Sequence, residues 1–136
     1  MCFKRWLNTT STPKEKGLFW MLFALSAFVE IFVRSNNFFL SHPWVDFPMH
    51  FLWGITFYCG FTRIFSLSYR GGFLGVLLWQ AFWESGEEIG DVIIAQPAYM
   101  QDYFFWNGFL DTTMNLLGAV FAYGLLRYLQ HQQRQR

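Results

Sequence analysis

Four apolar stretches, roughly residues 17–33, 47–62, 71–95 and 108–129, each come close to the ~20 residues a helix needs to cross ~30 Å of hydrocarbon. In lipid such stretches must be helices, because no other open backbone satisfies its own hydrogen bonds. A chain that is 54% hydrophobic and 23% aromatic but only 14% charged fits an integral membrane domain better than a soluble one. The expectation is therefore all-α: a polytopic four-transmembrane-helix bundle forming a single domain over residues 1–136.

The charges are segregated along this pattern. Eight of the nine acidic residues lie in or beside the apolar stretches toward one face, and nine of the ten Lys/Arg lie at the other. Lys4, Arg5, Lys14 and Lys16 precede the first span, Arg63 and Arg70 separate the second from the third, and Arg127, Arg134 and Arg136 end the chain. Only Arg34 falls on the opposite side. The positive-inside rule places both termini in the cytoplasm and the 34–46 and 96–107 loops outside, with Trp44, Tyr99, Tyr103 and Trp106 in an interfacial belt. Lys4 and Arg5 read as an orienting flank and not as part of a cleaved signal peptide, since the first apolar run lacks a clear small-x-small cleavage site and carries Glu30. Cys2 is expected in the cytoplasm and Cys59 within a span, which disfavours a disulfide between them. A net charge of +1 gives no reason to expect nucleic acid as a partner.

Depth sharpens the reading. At ~1.5 Å per residue, Glu84 lies about 20 Å from the cytoplasmic boundary, Asp91 about 30 Å, and Glu30 about 20 Å. His50, Asp111 and Asn115 fall within roughly two turns of the outer surface. Glu84, Glu87, Glu88 and Asp91 share one helical face; Asp46 and His50 are an i, i+4 pair; Asp111, Asn115 and Gly118 form another row. Turning these faces toward one another makes a single outward site. Gly86 and Gly90, on the other side of span three, form a G-x-x-x-G pair that would let a neighbour approach and make that span central. Bland accounts stand beside these: Asp46 as a helix cap before Pro48, Asp111 as a first-turn acid complementing the helix dipole, His50 as a satisfied buried imidazole. Glu30 and Glu84 resist such accounts, because a carboxylate that deep costs a few kcal/mol at least.

Like charges gathered in low dielectric cannot all remain ionised, so they hold protons or a cation. Oxygen ligands plus one imidazole suit Mg²⁺, Mn²⁺ or Ca²⁺. Candidate metal ligands are Asp46, His50, Glu84, Glu87, Glu88, Asp91 and Asp111; Glu84 or Glu88 is the candidate general base; Glu30 and Asn115 complete the polar site.

The stretches Asp46-Phe-Pro-Met-His50-Phe-Leu-Trp-Gly54, Trp83-Glu84-Ser-Gly-Glu87-Glu88 and Asp111-Thr-Thr-Met-Asn115-Leu-Leu-Gly118-Ala119 resemble the D-x-x-x-H, E-x-x-E/Q and D-x-x-x-N/D-x-x-G signatures of the YjdF-like and VanZ-like small bacterial inner-membrane proteins, in the same order over residues 46–119. The resemblance implies a multi-pass bacterial inner-membrane protein with polar positions clustered between helices, and for the VanZ-like proteins a link to resistance against glycopeptides acting on the cell envelope. VanZ-like proteins usually carry an Arg shortly before the Asp of the last motif, where this chain has Phe104, Phe105 and Trp106. YjdF-like ones often have a second Asp where Asn115 stands. Without that Arg, holding an anionic head group passes to a metal or is left undone.

Three functions remain open. The first is a metal-dependent enzyme or binding protein for a lipid or cell-envelope head group. The second is a small proton- or cation-coupled transporter, expected to dimerise, with Glu30 as its titrating group; the near absence of polar groups in the cytoplasmic halves of spans two to four, below Gln80, counts against it. The third is an accessory subunit of a larger membrane complex whose carboxylates fix helix packing. Membrane lipids are partners in every case. Pro97 and the aromatics after it predict a short interfacial helix in the 96–107 loop, beside the polar site.

Overall fold

The computed structural model describes residues 13–36, 42–93 and 101–134; within these, the side chains of residues 15, 34, 43, 87–93, 101–107, 130, 133 and 134 lie outside the description. Among the described residues the chain is all-α. Helix α1 spans Pro13–Ser35; a 3-10 turn, Pro43–Val45, leads into α2, Asp46–Cys59, which a π-helical turn extends over Gly60–Ile64; α3 spans Tyr69–Ile93 and α4 spans Gln101–Arg134.

Local chemistry sets these ends. Pro13 opens α1 and Pro48 sits in the first turn of α2, where no intrahelical N–H is required. Asn36 closes α1 by donating both its backbone N–H (3.2 Å) and its side-chain amide (2.8 Å) to the Phe32 carbonyl. After the π turn, in which the Phe65 N–H reaches the Gly60 carbonyl at 3.1 Å, Ser66 adopts φ 55° and reverses the chain. The hydroxyl of Ser68 then accepts the Gly71 N–H at 3.1 Å, capping α3 two residues later.

Contacts along the helices define an up-down-up-down bundle. Phe19 of α1 packs where a Gly60 side chain would be, Ser26 meets Thr56, and Glu30 meets Trp53, so α1 and α2 are antiparallel. Tyr58 packs on Phe73 and Phe57 on Trp79, so α3 turns back toward the start of α2. Helix α4 runs parallel to α2, from Asp111 near His50 to the cluster of Tyr58, Val76, Ala119, Ala122 and Leu126. One end of the bundle is thus apolar inside and the other polar.

The tightest junction joins α2 to α4. A methyl group at Gly54 would sit 2.1 Å from the Asn115 carbonyl oxygen, and one at Gly118 would sit 2.1 Å from that of Phe51. Two glycines, one per helix, let the backbones touch. Helix α2 consequently occupies the centre, packed on α1, α3 and α4. This corrects the expectation that span three is central: a methyl at Gly86 would meet nothing within 4 Å, so the close approach expected of the G-x-x-x-G pair is not made there, and the side of Gly90 is outside the description.

Polar side chains share the interior with apolar ones, and large apolar side chains lie on the outside. Ser26, His50, Thr56, Thr62, Gln80, Asp111 and Asn115 are buried, while Trp20, Met21, Phe28, Ile31, Phe32, Leu78, Phe82, Val120 and Phe121 are exposed. Among the described residues, two helical stretches, Lys16–Val33 and Gly108–Leu129, are long and apolar enough to cross a membrane. Inside, two hydroxyls share their partners: Ser26 Oγ lies 3.0 Å from Thr56 Oγ1 and each lies 2.9 Å from the carbonyl four residues back, so with one hydrogen apiece one donates to its carbonyl and the other donates to that hydroxyl. Ser26→Ala is expected to lower stability by about 0.5–1.5 kcal/mol, read from unfolding in mixed micelles.

The separate interfacial helix expected at 96–107 is not found as such. Residues 101–107 are the first turns of α4, and 94–100 lie outside the described residues. No proline follows Pro97 to interrupt α4, and the Glu84 carboxylate packs over Gly108, its Oε2 3.0 Å from the position a methyl would take.

Candidate functional site

Asp46 stands one turn before His50 on α2, and Asp111 one turn before Asn115 on α4, so each pair shares a face. The Gly54–Gly118 junction brings those faces together. His50 Nε2 lies 3.5 Å from Asp46 Oδ1 and 3.6 Å from Asp111 Oδ2. Asp111 is 1% exposed and Asp46 21%, which leaves the cluster open on the Asp46 side. One ligand atom from each of the three residues lies within 4.8 Å of the others. That span is no more than roughly twice the 2.3–2.6 Å of a Ca²⁺–oxygen bond, so the three could hold a metal ion.

A file of amides leads from the imidazole into α3. Asn115 Nδ2 donates to His50 Nδ1 at 2.9 Å and to Gln80 Oε1, and reaches the Asp111 carbonyl at 3.2 Å. Gln80 Nε2 in turn donates to Glu84 Oε1. An amide nitrogen only donates, so His50 Nδ1 accepts, and the hydrogen of the neutral ring sits on Nε2, between the two carboxylates. The same oxygen-only acceptors at each end, the Asp111 carbonyl and the Glu84 carboxylate, give the file its direction.

Beside the cluster lies a cavity of ≈ 300 Å³ whose walls include Glu30, Trp53, Phe57, Trp79 and Trp83, with His50, Gln80 and Asn115 at its polar side. Trp53 Nε1–H donates to Glu30 Oε2 at 3.3 Å.

Of the residues singled out from sequence, Asp46, His50 and Asp111 form the cluster, Asn115 touches it directly, Glu84 joins it through Gln80, and Glu30 shares the cavity with His50 and Asn115. Glu84 is thus one amide removed from Asn115 and is not among the three residues gathered at the metal-type cluster. Glu87, Glu88 and Asp91 fall on α3, but their side chains lie outside the described residues. Sequence reasoning passed over two residues. Gln80 carries no charge to draw notice, though its i, i+4 spacing to Glu84 put it on the same face. Trp53, inside a run of aromatics, looked like any lipid-facing ring.

Compared with known proteins, the chain matches no family model, no curated protein and no solved structure.

Proposed function

We propose that this is a four-span membrane protein, both termini cytoplasmic, in which Asp46, His50 and Asp111 hold a divalent cation that engages the polar head of a lipid or cell-envelope amphiphile. The observation that carries the reading is the meeting of two carboxylates and an imidazole in a bundle whose outside is apolar. Ionisable side chains in such an interior are retained for a bound partner or a reaction. The topology draws support from the alternation of the helices and from charge: Lys14, Lys16, Arg63, Arg70 and Arg127 all lie toward the Tyr58–Leu126 end, while Glu30, Asp46, Glu84 and Asp111 lie toward the other. Arg127 rests over the Tyr69 ring at 6.0 Å, at that basic end.

A cation here neutralises the two acids and, as a Lewis acid, polarises a phosphoryl or carbonyl oxygen presented to it. That supplies the positive charge that the chain lacks as an Arg beside the last motif. For Nε2 to ligate, the ring hydrogen must pass to Nδ1, and Asn115 must turn its oxygen to accept it. Glu84, fixed by Gln80, is the candidate base for a water near the site, and Glu88 shares the same helix.

Protein purified without chelator is expected to contain one divalent ion per chain by elemental analysis. Asp111→Asn should weaken Mn²⁺ binding by about 100-fold, and Asn115→Leu by about 10–100-fold, whereas Asn115→Asp, a pure acceptor for Nδ1–H, should tighten it. Folded protein that takes up no stoichiometric Mg²⁺, Mn²⁺ or Ca²⁺ would remove the metal from the account.

A further inference from the structure

We infer that the cavity takes the upper part of one hydrocarbon chain, so that the amphiphile is a single-chain one whose polar head is joined directly to that chain, as in a long-chain phosphate monoester. For the head this rests on the proposed reading of Asp46, His50 and Asp111; for the chain it rests on the cavity alone.

The cavity is a gap in the packing of the bundle. Helices α1 and α3 both pack on α2, but among the described residues they share no extended contact with each other. Phe23 and Ala27 of α1, Trp53 and Phe57 of α2 and Trp79 of α3 wall the gap. Phe23 meets Trp53 edge-on at 5.7 Å, Trp53 stacks on Phe57 at 5.1 Å, and Phe57 packs on Trp79 at 4.7 Å, so the rings brace one another into a continuous apolar wall. Ile31 and Trp83 also border the cavity and are 64% and 39% exposed, so it reaches the apolar outside of the bundle. Its polar border is formed by His50, Gln80 and Asn115, all buried. A passage thus runs from the lipid-facing surface to the imidazole of the cluster.

Size and hydrogen bonding select what enters. At the ~30 Å³ that one water takes in the liquid, a cavity of ≈ 300 Å³ has room for about ten methylene-sized groups, the upper part of one chain. A diacyl lipid places a glycerol and two ester carbonyls between its head and its chains, and those carbonyls need donors once they leave water. The indole N–H of Trp53 is already given to Glu30 at 3.3 Å, and the Asn115 amide to His50 Nδ1 and Gln80 Oε1. Gln80 Nε2 donates to Glu84, and Gln80 itself stands at the polar border, where the head arrives. A chain joined directly to its head lays methylenes on the rings and leaves no carbonyl unpaired. Since its carbons pass from hydrocarbon to hydrocarbon, selection comes from fit and from unpaired polar groups, not from hydrophobic burial.

The test uses the full chain in phosphatidylcholine nanodiscs with Mn²⁺. The probes are hexadecyl phosphate and dihexadecanoyl phosphatidic acid, at equal mole fraction in the bilayer. Both carry a phosphate monoester head, so what the cation and the neighbouring acids contribute is shared, and only the chains and esters differ. Native mass spectrometry should show one hexadecyl phosphate per chain, preferred over the phosphatidic acid by about 10-fold or more. Ala27→Phe, which puts a ring into the cavity, should reduce that preference to within about 2-fold. Ala24→Phe, at an exposed position of α1 outside the lining, should retain it. Equal binding of the two lipids to the wild-type protein, lost with EDTA, overturns the single-chain inference and leaves the cation reading standing. Binding of neither lipid above phosphatidylcholine overturns both. A preference that survives EDTA upholds the chain site and counts against the cation. A folded Ala27→Phe protein that keeps the full preference overturns the placement of the chain in this cavity.

Discussion

Gly54→Val is expected to leave the four helices formed but the bundle unassembled. The added side chain begins 2.1 Å from the Asn115 carbonyl oxygen and 2.8 Å from the Asn115 Cα. Those are backbone atoms of a long helix, which cannot swing aside as the end of a side chain can. Helices α2 and α4 must therefore separate, and the overpacking penalty of 1–3 kcal/mol typical of cores is expected to be exceeded, at about 3 kcal/mol or more. Gly118→Val meets the Phe51 carbonyl in the same way and should behave alike. Gly86→Ala and Gly124→Ala are the internal controls: a methyl there has nothing within 4 Å, and replacing a helical glycine should stabilise by roughly 0.5–1 kcal/mol. Unfolding in mixed micelles reads all four. Separation of α2 from α4 also pulls Asp46 and His50 away from Asp111 and Asn115, so Gly54→Val should lose metal uptake together with stability.

His50→Leu should be the most damaging change within the site itself. It removes the Nε2–H that lies between Asp46 and Asp111 and the Nδ1 acceptor used by Asn115, while adding a side chain of similar bulk. Two carboxylates then face each other in the interior, one of them 1% exposed. Leaving a buried carboxylate without its hydrogen-bond donor costs about 1–3 kcal/mol, and more where the acceptor is charged. The cost should be non-additive: His50→Leu combined with Asp111→Asn removes the uncompensated charge as well, and the double variant should be more stable than His50→Leu alone by about 2 kcal/mol. Chelator must be present throughout, so that loss of a bound ion is not counted as loss of packing. A His50→Leu protein as stable as wild type would mean that the imidazole plays no part in holding the two acids together.

The apolar stretches were legible because lipid-length hydrophobic runs and helix formation go together: 17–33 and 108–129 lie inside α1 and α4, 47–62 inside α2 and its π turn, and 71–95 overlaps α3. The pairing of Asp46 with His50, and of Asp111 with Asn115, was likewise written in the i, i+4 spacing. What periodicity does not encode is which helix lies against which. Gly54 and Gly118 form their junction with one glycine on each of two helices far apart in the chain, and no spacing rule within a helix marks such a pair, whereas the visible Gly86/Gly90 spacing drew attention to a face on which Gly86 meets no neighbour. Gln80 escaped notice for a related reason. Its amide acquires meaning only through Asn115 on one side and Glu84 on the other, and the first of those contacts is made between helices. The unbroken start of α4 was hidden by Pro97, which marks a helix beginning but does not say how far the helix runs.

The central claim is that α2 and α4 present three donors to one cation. Diffraction at the manganese absorption edge, from crystals of the full chain grown with Mn²⁺, tests it directly. A single anomalous peak is expected among His50 Nε2 and the carboxylates of Asp46 and Asp111, and it should vanish in Asp111→Asn. No peak, or a peak elsewhere with the three side chains still in their metal-free arrangement, would contradict it.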